Sequence, residues 1–316
     1  MNISKKNSCR ICGSAMRMWD ASWLGFEWGR CTKCRSVQKL IDESTYLTLG
    51  ASYDPGYIEA EKIALNELEI RMGVFEKEVF LRRLLGSELE GSLLDIGCGM
   101  GGFLLAAKRI GFEALGVEPS VAHSKAAVER FGLDVVNGFF KSGDFDRKFD
   151  VVVLSHVIEH IYDPCEFIRD VLRVMRANGK LIIVTPNCDS ISARVCMKFW
   201  SMYKPIDHVT LFTKRSMAEI VPPESSLQIL RTSEWPGEFA AHILSSLKTM
   251  FRPTITSVRP GKPGGPRRQS NLAFATRFVL ALISLPFYWV GFILDKRSCL
   301  YAVIAKNENK MQARQS

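Results

Sequence analysis

Several things are missing from this 316-residue sequence, and each absence narrows what it can be. Met1–Arg10 is polar and no apolar stretch follows it, so a secretory signal is not expected. No internal repeat runs along the chain, which sets aside solenoid and propeller architectures. Net charge is missing from the first three quarters: residues 1–236 carry 30 Lys and Arg against 30 Asp and Glu. The whole formal charge of +9 falls in residues 237–316, with 12 basic and 3 acidic side chains. A basic excess confined to one end points to an anionic partner there, nucleic acid or an anionic membrane surface. Without a secretory signal the nine cysteines are read in a reducing compartment, where clustered pairs suggest metal rather than disulfides.

Hydrophobic residues at 47% and charged residues at 24% are ordinary globular values. Residues 56–90, rich in Glu, Leu, Lys and Arg and without proline, read as one or two amphipathic helices. Over residues 91–236, β-rich runs alternate with helical patterns. The runs are Ser92–Ile96, Ala114–Val117, Asp134–Val136, Phe149–Leu154, Lys180–Val184 and Leu227–Arg231. Helical patterns at 101–110, 121–131, 160–177 and 213–221 lie between most of them. Such alternation predicts an α/β fold with a doubly wound, Rossmann-like parallel sheet. A further helical pattern near 238–251, a Pro/Gly/Arg linker over Arg252–Ser270 and a final strand pattern at Cys299–Ala305 complete the chain.

The segment Leu93-Leu94-Asp95-Ile96-Gly97-Cys98-Gly99-Met100-Gly101-Gly102 is a buried strand entering a glycine-rich turn and then a helix. Glycine suits a turn this sharp, where backbone approaches a ligand and a Cβ would collide. Glu118, 19 residues past Gly99, ends the next strand, where a carboxylate would hold a ribose diol. The dinucleotide pattern wants Gly-x-Gly-x-x-Gly, whereas this run has an acid, Asp95, two residues ahead of Gly97. Beside a pyrophosphate that acid is repulsive; beside a cationic amino-acid group it is attractive.

With the strand Phe149–Leu154, the run His156-Val157-Ile158-Glu159-His160 followed by Asp163-Pro164, and Leu172–Leu181 leading to Thr185-Pro186-Asn187, residues 91–187 resemble the class I S-adenosylmethionine-dependent methyltransferases. The resemblance implies S-adenosylmethionine as cofactor, with Asp95, Gly97, Gly99 and Gly101 holding its methionine part and Glu118 its ribose hydroxyls. Many relatives place an acid after the third strand for the adenine amino group. Here Val136-Asn137-Gly138-Phe139-Phe140 has none before Asp144, and Phe139 is the candidate to pack on the adenine face.

His156-x-x-Glu159-His160 also matches the letters of an inverted zinc-protease motif, but His156 closely follows a buried strand instead of lying on a helix with His160. His156 and Glu159 are read as candidates for the acceptor side of the cleft. Methyl transfer is an in-line displacement that needs alignment above all, and a base only for a weak nucleophile such as a hydroxyl. His208, beyond the fifth strand, is the candidate base, with a structural histidine that orients its loop as the alternative. Pro186-Asn187, Ser190, Ala193-Arg194, Trp200, Pro205, His208 and Leu211-Phe212 together resemble a bacterial subgroup often associated with cell-surface sugars or lipid-linked metabolites.

Cys9-x2-Cys12 and Cys31-x2-Cys34 are 18 residues apart, inside the four-cysteine zinc spacing. Two such knuckles close a tetrahedral site with no open position, a structural zinc ribbon. Cys98, Cys165, Cys188, Cys196 and Cys299 are scattered and read as packing residues. Near the other end, Phe278–Leu294 is 17 residues without charge, interrupted by Pro286 and bounded by basic residues. A membrane-spanning helix needs about 20 apolar residues. The expectation is a monotopic or re-entrant membrane contact through residues 271–297, with a packing or oligomer face and a true span left open.

The expected organisation is a zinc ribbon over 1–45, a cofactor-binding methyltransferase core over 46–236, a basic linker and apolar insertion over 237–297, and a last strand and tail over 298–316. The favoured function is methyl transfer to a sugar, lipid-linked glycan or related small metabolite, in the cytoplasm at the inner face of the membrane. Alternatives are an RNA methyltransferase that uses the ribbon and the basic linker, and an inactive scaffold. The linker lacks aromatic residues to stack on bases, so nucleic acid is the less favoured partner. The oligomeric state is not readable.

Overall fold

The computed structural model describes residues 8–19, 26–51, 67–86, 89–203, 207–233, 244, 246, 286 and 289–307. The linker at 252–270, most of the helical pattern at 238–251 and most of the apolar run at 278–294 lie outside these residues. In chain order the strands are β1 (Met16–Trp19), β2 (Trp28–Cys31), β3 (Val37–Lys39), β4 (Gly91–Ile96), β5 (Phe112–Glu118), β6 (Val135–Asn137), β7 (Phe149–Ser155), β8 (Met175–Pro186), β9 (Thr210–Leu211), β10 (Ser225–Ser233) and β11 (Cys299–Lys306). The helices are α1 (Glu43–Ala51), α2 (Glu67–Leu85), α3 (Gly102–Ile110), α4 (Val121–Phe131), α5 (Pro164–Arg173), α6 (Ile191–Cys196) and α7 (Lys214–Glu219).

A seven-stranded sheet in the order β10-β11-β8-β7-β4-β5-β6 forms the body of the chain. Pairings among β4 to β8 are parallel, and β11 runs antiparallel between β8 and β10, as expected of the final strand. The central strands are apolar along their whole length because both faces are covered. Leu94, Ile96, Val152, Leu154, Leu181 and Ile183 face α5 and α7. Leu93, Val151, Val153, Ile182 and Val303 face α2 and α3. Successive side chains thus fill opposite layers, the period-2 rule acting in a strand buried on both sides. Strand order reverses at β4, with β5 on one side and β7 on the other, so ligand-binding space opens at the carboxyl ends of these strands.

Helix caps set the loops at that edge. Ser120 caps α4 by accepting from the His123 N–H, and Asp163 caps α5 by accepting from the Glu166 N–H ahead of Pro164. This cap explains one difference from expectation: the helix read at 160–177 is only Pro164–Arg173, because a 3-10 turn occupies Ile158–His160 and β8 begins at Met175.

The N-terminal strands form a second sheet, β1-β2-β3-β9, whose last member comes from far along the chain. Val37 pairs with Leu211 and Gln38 with Thr210, antiparallel. Trp28 and Val37 share a buried cluster with Cys188, Trp200, Tyr203 and Leu211. Trp28 and Trp200 each meet the Tyr203 ring edge-on, at 5.3 and 5.6 Å. The ribbon sheet is thus completed by the segment that follows β8, and the two share this buried cluster.

Candidate active site

The turn after β4 is built on left-handed backbone: φ is +72° at Gly97, +55° at Gly99 and +83° at Gly101. A Cβ on Gly97 would stand 2.5 Å from Val157 Cγ2, and one on Gly101 would collide with Leu133. At Gly99 a Cβ would meet nothing within 4 Å, so there the φ alone demands glycine and the open side is where a ligand can approach the backbone. The Gly97 and Cys98 amides donate to the Val117 carbonyl at 2.8 and 3.1 Å, tying the turn to β5.

Two buried carboxylates face this turn and are treated in opposite ways. Glu118 accepts from the Gly99 amide through Oε2 and from the Ser120 amide through Oε1, both at 2.8 Å. Asp95 is 1% exposed, and its Oδ1 has no hydrogen-bond partner among the described residues. Burial pushes its carboxyl up to about 8, with Lys77 pulling down and Glu118 adding to the rise. Lys77 on α2 lies against the same turn: a Cβ on Gly102 would be 3.1 Å from its Cε. Nothing in the spacing of the sequence singled out this lysine. An orphaned acid, an open glycine backbone and a carboxylate at the end of β5 fit the cationic amino-acid end and ribose of S-adenosylmethionine. Phe139, just past β6, is turned outward and 72% exposed, while Phe140 packs against Phe145 and Phe167.

At the end of β7 three histidines and two acids converge. His156, at φ +57°, brings Nδ1 to 3.1 Å from Glu159 Oε1, and the Thr185 hydroxyl donates to Oε2 at 2.9 Å. Glu159 is wholly buried. Burial alone would raise its carboxyl, but the His156 hydrogen bond and the nearby imidazoles win and hold it at about 2. His156 sits after the strand in left-handed conformation, so it shares no helical face with His160, which removes the protease geometry.

His208 is brought in from the segment before β9. Its Nδ1 donates to the Met202 carbonyl at 2.8 Å, and its ring meets that of His160 edge-on at 4.7 Å. Burial, and then the neighbouring His160, push His208 down to about 4, so it is neutral at physiological pH. His160 behaves oppositely: burial disfavours its charge, yet Asp207 Oδ2, 3.2 Å from Nδ1, raises it above the ordinary value. Ligand-type atoms of Glu159, His160 and His208 lie within 4.8 Å of one another. The expected trio of His156, Glu159 and His208 is thus one cluster, and the His160–Asp207 pair within it was not foreseen.

The four expected cysteines also converge, all sulfurs within 4.8 Å of one another. Cys9 and Cys34 are 3.6 Å apart and Cys12 and Cys31 3.5 Å. Zinc–sulfur bonds of about 2.3 Å imply tetrahedral sulfur separations of roughly 3.8 Å, so the donor set fits. The Cys34 thiol pulls Cys9 down to about 4 and is itself raised by keeping the shared proton, while burial raises Cys31. Gly13 and Arg35 hold matching left-handed positions, φ +69° and +66°, one residue past each pair. Between the first two cysteines, Arg10 reaches out of the knuckle. It donates to the carbonyls of Lys39 at 2.9 Å and Val209 at 2.7 Å, and its guanidinium lies 4.8 Å over the Tyr162 ring. The cysteine cluster is thereby bolted to the residue beside His208.

Asp95 generates a pH prediction. Folding keeps its proton where the unfolded chain releases it, so the ligand-free protein loses stability as pH rises from about 4 to about 8. Asp95→Asn should flatten that decline. Denaturant titrations at pH 5 and pH 8 would measure it, and an equal pH dependence in both proteins would contradict the buried, orphaned state of this carboxyl.

Comparison with known proteins finds partial matches along the chain. Residues 76–222 match the family described as "Methyltransferase domain". The chain is 31% identical over 105 residues to ubiquinone biosynthesis O-methyltransferase of Rhodopseudomonas palustris, covering 31% of this chain and 42% of that protein. It is 34% identical over 106 residues to ajmaline N-methyltransferase of Rauvolfia serpentina, covering 30% of this chain and 35% of that one. The chain thus spans well under half the length of these relatives. A crystal structure of a SAM-dependent methyltransferase from Archaeoglobus fulgidus superposes with a TM-score of 0.42 at 20% identity, covering 74% of this chain and 94% of that one. The family match takes in Lys77, the glycine turn, Glu118 and the whole histidine cluster, so over residues 76–222 this chain is similar to the methyltransferase domains.

Proposed function

We propose that this chain transfers a methyl group from S-adenosylmethionine to a sugar, a lipid-linked glycan or a related small metabolite. The observation that carries the reading is Asp95: a buried carboxylate with an unpartnered oxygen beside an open glycine turn asks for a cation. S-adenosylmethionine, when bound, supplies an electrophilic methyl and a leaving thioether. Asp95 balances the charge of its amino-acid end. Glu118 receives the ribose hydroxyls on the lone pairs its two amide bonds leave free, and Phe139 offers its exposed ring to the adenine face.

Acceptor chemistry belongs to the histidine cluster. Its position at the end of β7, the strand beside β4, puts it next to the glycine turn. Neutral His208, pushed to about 4, is too weak a base to collect a hydroxyl proton. His160, held in orientation by Asp207, is the better one: it takes the acceptor's proton as the new carbon–oxygen bond forms. His208 then serves as a neutral ring that shapes the pocket, and the Glu159 carboxylate fixes His156.

The four-cysteine knuckles hold a structural zinc, and the ribbon's part is to fix β9 and the His208 loop through Arg10. At the other end, Trp289, Phe292, Ile293 and Leu294 are exposed beside Lys296 and Arg297, an apolar ridge with a basic rim. Among the described residues no helix is long and apolar enough to cross a membrane. These features support a membrane-surface contact through residues 271–297.

Calorimetry with S-adenosylhomocysteine tests the central claim. Glu118→Ala should weaken binding about ten- to a hundredfold through a lost contact worth roughly 1.5–3 kcal/mol. His160→Gln should leave that affinity intact while methyl transfer ends. A wild-type chain that ignores S-adenosylhomocysteine would refute the enzyme reading. Elemental analysis should find about one zinc per chain, lost in Cys31→Ser; zinc near zero in protein never exposed to chelator would refute the metal.

The membrane contact is tested by vesicle flotation. Each Lys or Arg near an anionic surface contributes about 1 kcal/mol, so the chain should float with phosphatidylglycerol vesicles and less with neutral ones. A chain that floats with neither would rule out the contact.

A further inference from the structure

A cavity of about 360 Å³ lies apart from the glycine turn and the histidine cluster, where four segments meet. The ribbon contributes Arg35, the segment after β8 contributes Arg194, the start of α7 contributes Lys214 and Arg215, and the loop into β11 contributes Lys296. Two acids share its lining, Asp189 and Asp295, and both are engaged. Asp189 pairs with Arg194 at 2.6 Å and Lys296 at 3.3 Å. Asp295 pairs with Lys214 and accepts from the Thr232 hydroxyl at 2.6 Å. Five cations against two carboxylates leave an excess of three positive charges, and among the described residues neither Arg35 nor Arg215 has an ion pair. Like charges gathered in one concavity repel, so an anion of matching charge is what the cavity is suited to take.

Position gives the cavity a purpose. Asn187, in its wall, directly follows β8, and the Asn187 amide donates to the Ser298 carbonyl at 2.8 Å, just ahead of β11. β8 lies two strands from β4, so the two strand ends are about 10 Å apart along the carboxyl edge, with β7 and its histidine cluster between them. A pyranose ring and the phosphate on its anomeric carbon cover a span of that order.

We propose that this cavity binds the phosphate or diphosphate group of the methyl acceptor. The inference rests on the methyltransferase reading for the word acceptor, but not for the anion site itself. Arg35 and Arg215 supply the free guanidinium groups, whose planar donors suit phosphate oxygens. Arg35 also makes the ribbon a direct contributor to acceptor recognition, beyond its part in fixing the His208 loop.

Calorimetric titration of the full chain with inorganic pyrophosphate is the test, with S-adenosylhomocysteine titrated on the same preparation. Saturable pyrophosphate binding is expected, weakened about tenfold or more when Arg35→Gln and Arg215→Gln are combined, with S-adenosylhomocysteine affinity unchanged. Absent pyrophosphate binding, or binding indifferent to the two substitutions, would overturn the site. Each single substitution, made at an exposed side chain, gives the same readout should the pair fail to fold. Uridine diphosphate and phosphatidylcholine vesicles doped with a polyprenyl phosphate separate the sources: arginine-dependent binding of either upholds the site and says whether the phosphate arrives on a nucleotide or a lipid. Loss of S-adenosylhomocysteine binding with pyrophosphate binding intact would instead strike the methyltransferase reading and leave the anion site standing.

Discussion

Two backbone pairings, Val37 with Leu211 and Gln38 with Thr210, decide where the histidine cluster of this molecule is completed. They join a strand of the cysteine-bearing sheet to a two-residue strand more than 170 positions later. Short strands of this kind hold only if the surrounding packing over-determines them. Trp28, Trp200 and Tyr203 supply that packing, and Arg10 adds hydrogen bonds to Lys39 and Val209. Once β9 is fixed, His208, Asp207 and the start of α7 are fixed with it. The ribbon therefore acts as the rigid back of a loop that would otherwise run free between β8 and α7.

At the glycine turn the controlling physics is the cost of burying charge. Glu118 is surrounded by donors and stays in place as an acceptor; Asp95 has none for one oxygen and takes up a proton instead. The ligand-free fold thus carries an unmet electrostatic demand that a cation settles. The histidine cluster solves the same problem internally. Glu159 is as deeply buried as Asp95, yet two hydrogen bonds and three imidazoles keep it ionised.

What could be read from the sequence follows from how local each signal is. The β4 strand, its glycine turn and Glu118 were legible because apolar run, glycine and acid lie within about 25 residues of one another and obey one spacing rule. The cysteine knuckles were legible for the same reason, and the last strand because its short apolar run, buried along nearly its whole length between β8 and β10, is itself a strand signal. By contrast, β9 is two residues long and carries no periodicity, so its union with the ribbon had no local trace. His160 looked like part of a family run, and only the fold places Asp207 against it. Lys77 was one lysine among many on an amphipathic helix until α2 laid it over Gly102.

The two knuckles differ at one position. After the first pair stands Gly13, which adopts its left-handed backbone at no steric cost; after the second stands Arg35 in nearly the same conformation. A non-glycine residue there costs on the order of 1 kcal/mol. Glycine would relax the second knuckle, and the chain carries an arginine regardless. The knuckle can tolerate that tension because the four clustered cysteines fix it whatever follows. Stability is given up at a point where the fold is over-determined, and what is gained is a cation on a rigid stalk facing the cavity at the sheet edge.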